Sequence, residues 1–193
     1  MSSHFFALFS RMKYIDRWAL MRNTDKESLS QHSLDVAAIA HALALIGNKR
    51  LGKSYNSDRI AVIGMYHDMP EIITGDMPTP VKYFSPAIRA AFGAVESVSQ
   101  QRLLSALPED LRDDFRPLLA ETDDAQLLAL VKAADKLSAL VTCIEERKAG
   151  NTEFTGAEKS TRQALEKLNV PEAKLFMEEF MGAYEQTLDE LSE

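Results

Sequence analysis

The sequence predicts an all-α protein, a single helical bundle of about seven or more helices formed by residues 1–193. Three observations predict it. Apolar residues recur at three- and four-residue spacing in one segment after another, as a helix with one buried face requires. No stretch alternates apolar and polar residues with the period of two that a strand shows. No internal repeat and no Pro/Gly/Ser-rich linker divides the chain, and 46% hydrophobic content supplies enough apolar surface for one core.

In order, Phe5, Phe6, Leu8, Phe9, Met12 and Ile15 define a first helix that runs into Arg17-Trp18, the latter the only tryptophan. A polar loop follows from Arg22 to Ser30, and Ser28 or Ser30 is placed to cap the next helix. Gln31 to Gly47 is the second helix, with Leu34, Ala37, Ala38, Ala42 and Leu45 as its expected packing face. Its two histidines, His32 and His41, stand nine residues apart. At about 100° per residue they face opposite ways and cannot share a site. His32 sits at the open N-terminal end, and His41 is a core or surface residue. Asn56 or Ser57 caps a third helix, which ends on Tyr66-His67-Asp68-Met69-Pro70-Glu71. Pro70 removes a backbone donor, so a break is expected there.

Gly75-Asp76-Met77-Pro78-Thr79-Pro80 reads as a loop stiffened by prolines. Pro86 to Ala106 is a helix with Ile88, Phe92, Val95 and Leu103 inward, and Pro108 opens a short one. Asp124 to Ala149 is long and strongly apolar, and Gly150-Asn151 ends it. Glu153 to Leu168 stops before Pro171. The last helix carries Phe176, Phe180, Tyr184 and Leu188 at strict four-residue spacing, a stripe expected to pack within the domain.

The bulk numbers exclude some functions. A net charge of -7 is unsuited to long nucleic acid, which rewards clustered Lys and Arg. A small phosphorylated ligand remains compatible, since it needs only a local arginine. One cysteine, Cys143, excludes an intrachain disulfide and fits a cytoplasmic location. The longest nearly apolar run, Val36 to Gly47, is too short to span a bilayer, so no membrane partner is expected.

His67, Asp68 and Glu71 end a buried helix, where unpaired polar groups are costly. A divalent ion explains them economically. Asp135 lies on or beside the apolar stripe of the long helix, with Lys132 and Lys136 as its ordinary ion-pair partners. His32, His67, Asp68 and Asp135 together offer two imidazoles and two carboxylates, a donor set suited to Mn²⁺, Co²⁺, Fe²⁺ or Zn²⁺. Mg²⁺ prefers oxygen ligands and fits less well.

The order His32 … His67-Asp68 … Asp135 resembles the HD-domain metal-dependent phosphohydrolase superfamily. Arg17-Trp18, Ser30-Gln31-His32-Ser33-Leu34, the block from Thr74 through Gly75-Asp76-Met77-Pro78-Thr79-Pro80 to Phe84, and Lys132-Ala133-Ala134-Asp135 carry the likeness further. They resemble the bacterial 5′-deoxynucleotidases of the YfbR type, over essentially the whole chain. Gln31 departs from the acidic residue common before the first histidine, and Met69-Pro70 is an unusual filling before Glu71.

The resemblance implies an HD-domain bundle in which His32, His67, Asp68 and Asp135 bind one divalent ion. Co²⁺ or Mn²⁺ leads that expectation, with Zn²⁺, Fe²⁺ and Cu²⁺ as alternatives. Catalytic roles fall to Glu71, Asp76 and Arg17. Substrate contacts fall to Arg17, Trp18, His32, Asp68, Asp76, Met77, Pro78, Thr79 and Asp135. The implied reaction is hydrolysis of deoxyribonucleoside 5′-monophosphates, selective for deoxyribose and little concerned with the base, by a homodimer. Two rival readings are another HD phosphohydrolase, acting on deoxynucleoside triphosphates or cyclic nucleotides, and a non-catalytic helical interaction protein.

Overall fold

A computed structural model describes residues 2–119 and 124–192. Ten α-helices and several 3₁₀ turns make up the described residues: α1 (Phe5–Phe9), α2 (Leu29–Arg50), α3 (Ser57–Tyr66), α4 (Glu71–Thr74), α5 (Thr79–Lys82), α6 (Pro86–Ser105), α7 (Arg112–Leu119), α8 (Ala125–Lys148), α9 (Thr155–Leu168) and α10 (Pro171–Phe180). The all-α prediction holds, with a lone antiparallel bridge between Asp16 and Ser28 as the one piece of extended pairing among those residues.

Helix starts follow from local chemistry. Ser28 accepts from the Gln31 amide, and the Gln31 side chain accepts from the Ser28 amide, a capping box that fixes the start of α2. Asn56, Ser85 and Asp124 cap α3, α6 and α8 in the same way with one side chain each. The first predicted helix is shorter than expected: α1 tightens into a 3₁₀ turn over Ser10–Tyr14.

Two apolar clusters form the core. The larger joins α2, α3, α8, α9 and α10 through Val36, Leu43, Ile60, Ile63, Leu137 and Phe176. The smaller gathers Phe5, Met12, Leu29, Tyr66, Met69 and Leu103. His67 and Asp68 lie in the turn between Ile63, in the first cluster, and Met69, in the second. The seam between two rigid clusters therefore fixes them.

The packing face of α2 lies nearly half a turn from the one expected, at about 100° per residue. Val36, Ala37, Ile39, Ala40, Leu43 and Ala44 are buried, whereas Leu34, Ala38 and Leu45 are exposed. Apolar residues surround much of this helix, so its periodicity did not select one face. By length and composition α2 passes for a membrane span, longer than the run from Val36 to Gly47 suggests, but 56% of its most apolar window is buried in the fold. Ile88 and Val95 of α6 also face outward, while Phe92 and Leu103 are buried. The C-terminal stripe breaks up because α10 ends at Phe180 and the chain tightens into a 3₁₀ turn. Phe176 is buried and Tyr184 packs against the core, but Leu188 is 80% exposed.

Helices α2 and α3 cross at Gly64. A Cβ there would lie 3.0 Å from the Ala37 Cα and 3.1 Å from its amide nitrogen, so this contact between backbones needs glycine.

Candidate active site

Three elements meet at the site. The capped start of α2 delivers His32, the turn after α3 delivers His67 and Asp68, and the middle of α8 delivers Asp135. His32 is fully buried, with Nε2 3.3 Å from Asp135 Oδ1 and 3.5 Å from Asp68 Oδ2. The two imidazole rings stand 5.4 Å apart. His32, His67 and Asp135 each offer a donor atom, all within 4.8 Å of one another. Asp68 Oδ2 completes the group, 2.9 Å from His67 Nε2.

The outer ring nitrogens are held. His67 Nδ1 lies 2.7 Å from the Gly64 carbonyl, an acceptor only, so Nδ1 carries the hydrogen and donates it. His32 Nδ1 lies 3.0 Å from Ser138 Oγ. The Nε2 atoms of both histidines are buried and have no partner with hydrogen-bond geometry, and neither has Glu71 Oε2. Two buried imidazole nitrogens without a hydrogen bond, beside two carboxylates, fit a divalent cation of borderline softness.

Electrostatics separates the carboxylates. Burial pushes against charge at Asp68, but the His67 and His32 rings outweigh it and hold it well below the usual carboxylate range. Asp135 is likewise held low despite its burial, by His32 and by Lys136, whose Nζ lies 2.8 Å from Oδ2. The ordinary ion pair expected for Asp135 thus exists alongside its place in the cluster. Burial alone would lower His67; the neighbouring Asp68 charge raises it instead. Glu71 is pushed up to about 9 by burial and by the charges of Asp68 and Asp76. Burial raises Asp76 too, opposed by the Arg17 charge. Pro70 does not misdirect Glu71: it ends the turn, and Glu71 opens α4 with its amide bonded to the Asp68 carbonyl, 2.9 Å away.

Two clefts adjoin the cluster. One, of about 660 Å³, is lined by Arg17, Trp18, Asp76, Met77, Pro78 and Thr79. The other, of about 750 Å³, is lined by His67, Asp68, Glu71 and Asp135, with Lys82, Arg89 and Lys132 toward its rim. Lys136 and Tyr83 line both. Every residue nominated from sequence therefore lies in the cluster or on one of these two clefts. His41 does not: it is partly exposed and 3.8 Å from Asp58.

The match runs the length of the fold. A profile of the family described as 5′-deoxynucleotidase YfbR-like matches residues 4–184. The chain belongs to this family. It is 48% identical over 191 residues to a 5′-deoxynucleotidase of Vibrio cholerae, covering 98% of both proteins. It is 47% identical over 194 residues to the 5′-deoxynucleotidase YfbR of Escherichia coli, covering 99% of this chain and 96% of that one. Among solved structures, an HD-domain phosphohydrolase from Listeria innocua superposes with a TM-score of 0.81 at 23% identity, over 94% of this chain and 88% of that one. A cyanophage S-2L HD phosphohydrolase bound to dA and one catalytic Zn²⁺ ion gives 0.68 at 15% identity, over 94% and 96%. At these identities the structural likeness shows the shared fold.

Three residues of the site escaped the sequence reading. Glu27 holds Arg17 and Trp18, Ser138 holds His32, and the Gly64 carbonyl holds His67. Spacing gave no signal for them, because each acts through a contact distant in sequence or through the backbone. Gln31, the residue that departs from the family pattern, has its work in the capping box and not against the His32 ring.

Trp18 is held in an unusual backbone conformation. Its φ is 59°, a region that costs a bulky residue about 1–3 kcal/mol. Its ring packs edge-on to Phe154 at 5.2 Å, and the Arg17 guanidinium lies 5.7 Å from its centre.

Proposed function

We propose that the chain is a metal-dependent 5′-nucleotidase that hydrolyses deoxyribonucleoside 5′-monophosphates to deoxynucleoside and phosphate. The observation that carries the proposal is the pair of buried Nε2 atoms that make no hydrogen bond and lie against Asp68 and Asp135, beside a cleft that holds Arg17 and Trp18. Family membership and relatives named 5′-deoxynucleotidase over nearly the whole chain support it.

His32, His67, Asp68 and Asp135 would hold one divalent ion, Co²⁺ or Mn²⁺ by preference, with Zn²⁺, Fe²⁺ or Cu²⁺ compatible with the donors. Such an ion supplies Lewis acidity toward the phosphate and toward water. Ser138 and the Gly64 carbonyl keep the two imidazoles oriented. Arg17 presents a planar fork to the phosphate and offsets charge in the transition state. Glu71, beside Asp68, would orient the attacking water and, ionised with the cation in place to offset the neighbouring carboxylates, accept its proton. Asp76, raised in pKa, donates a proton to the departing 5′-oxygen as the P–O bond breaks. Met77, Pro78 and Thr79 contact the nucleoside, and His32, Asp68 and Asp135 lie against the phosphate. Trp18 forms a rigid wall near C2′ that excludes a hydroxyl by bulk and desolvation. Residues 1–193 act as one domain, working as a cytoplasmic homodimer without a nucleic-acid or membrane partner.

The test is phosphate release from ribo- and deoxyribonucleoside monophosphates across Mg²⁺, Mn²⁺, Co²⁺ and Zn²⁺, with dATP and cyclic AMP alongside. Release from dAMP well above AMP, stimulated by Mn²⁺ or Co²⁺ and abolished in His67→Ala and Asp68→Ala, is expected. Full activity in either variant sinks the metal assignment. Preferred turnover of dATP or cyclic AMP transfers the site to the rival phosphohydrolase reading.

A further inference from the structure

We infer that Glu27 is a positioning residue that sets Arg17 and Trp18 as one unit, and through them the sugar selectivity of the site. A single oxygen, Oε2, accepts from Arg17 Nη1 and from Trp18 Nε1, each at 2.8 Å. Both side chains of the Arg17–Glu27 pair are largely shielded, 12% and 13% exposed. A charge-assisted pair with so little solvent holds geometry better than a surface ion pair. The backbone repeats the link, since the Arg17 amide donates to the Glu27 carbonyl at 2.9 Å. The other oxygen, Oε1, lies 3.7 Å from His32 Nδ1, which places the carboxylate beside the histidine cluster without a hydrogen bond to it.

The clamp answers a specific need. Trp18 sits at φ 59°, which an indole does not adopt without restraint. Phe154 supports one edge of the ring, but Glu27 is what fixes its Nε1 and hence its rotation about the cleft. Only one arm of the Arg17 guanidinium contacts Glu27, which leaves further N–H donors for an anionic group. An aromatic wall discriminates a hydroxyl from a hydrogen only if it cannot retreat. Discrimination is therefore expected to depend on Glu27, although Glu27 itself need not touch the substrate.

This inference rests on the proposed reading of Arg17 and Trp18 as substrate contacts, and the experiment has one arm independent of that reading. Trp18 is the only tryptophan, so its emission and acrylamide quenching report the ring directly. In folded Glu27→Ala, quenching should rise, and the ratio of kcat/KM for dAMP over AMP should narrow roughly tenfold. Glu27→Gln, which keeps an acceptor oxygen without the charge, should fall between wild type and alanine in both readouts. A role in stability alone would lower both substrates together and leave the ratio unchanged, which would overturn the inference. Unchanged quenching in Glu27→Ala would also overturn it. Should the alanine variant fail to fold, a glutamine variant identical to wild type in quenching and ratio does the same. A wild-type enzyme that does not distinguish dAMP from AMP refutes the selectivity role of Trp18, and the quenching arm then decides the clamp by itself.

Discussion

Replacing Gly64 with alanine tests how the crossing of α2 and α3 governs the site. The added Cβ would meet the Ala37 Cα at 3.0 Å and its nitrogen at 3.1 Å, against 3.4 Å where ordinary contact begins. The neighbours are backbone, so no side chain can swing aside, and one helix must move by about half an ångström. Overpacking of this kind costs ~1–3 kcal/mol, from which the better helix propensity of alanine recovers up to ~1 kcal/mol. A net loss of about 1–2 kcal/mol lowers Tm by roughly 2–8 °C in a chain of this size. The displacement also reaches the cluster, because the Gly64 carbonyl holds His67 Nδ1 and α2 carries His32. Disturbing such an orienting contact weakens metal binding about 10–100-fold. Thermal unfolding and Mn²⁺ titration followed by calorimetry measure the two effects. A Gly64→Ala protein with wild-type Tm and wild-type Mn²⁺ affinity would refute the claim that this contact sets the spacing of the two histidines.

Glu146, buried in α8, accepts from Thr24, Asp25 and Asn151, and those donors outweigh its burial to keep its pKa below the ordinary 4.5. A lowered carboxylate contributes stability that is present above its unfolded value and lost as pH falls through the folded one. Glu146→Gln should therefore cost about 1–3 kcal/mol at pH 7, with the gap to wild type closing below about pH 4.5 in urea unfolding; a gap independent of pH contradicts the assignment. Phe154→Ala removes a fully buried ring and should destabilise by ~3–5 kcal/mol in the same assay. It should also raise acrylamide quenching of Trp18, which loses its edge-on partner; unchanged quenching would show that Phe154 does not support the wall. Ser138→Ala leaves His32 Nδ1 without its 3.0 Å partner and should weaken Mn²⁺ binding about 10–100-fold by calorimetry; an unaltered affinity would show that Ser138 does not orient the ring.

The sequence by itself determined the helical class and most helix boundaries, and it nominated the residues that the fold gathers in one cluster and its two clefts. Capping side chains and prolines act over three or four residues, so Ser28, Asn56 and Pro70 declare their roles locally. His32 could be preferred to His41 from helix geometry alone. Burial faces were less legible. In α2 nearly every face is apolar, and only the packing of α3 and α8 selects Val36 and Leu43 over Leu34 and Leu45. The C-terminal stripe of four-residue spacing was a pattern without a helix to carry it past Phe180.

The tertiary structure alone decided the spatial relations. It brings His32 within 3.3 Å of Asp135 across 103 residues of chain, and it shows Pro70 opening the way to Glu71 instead of turning it aside. Glu27, Ser138 and the Gly64 carbonyl entered the site only then. Their residue types are common and their spacing carries no motif, because hydrogen bonds between distant segments depend on how rigid helices pack and not on any local period.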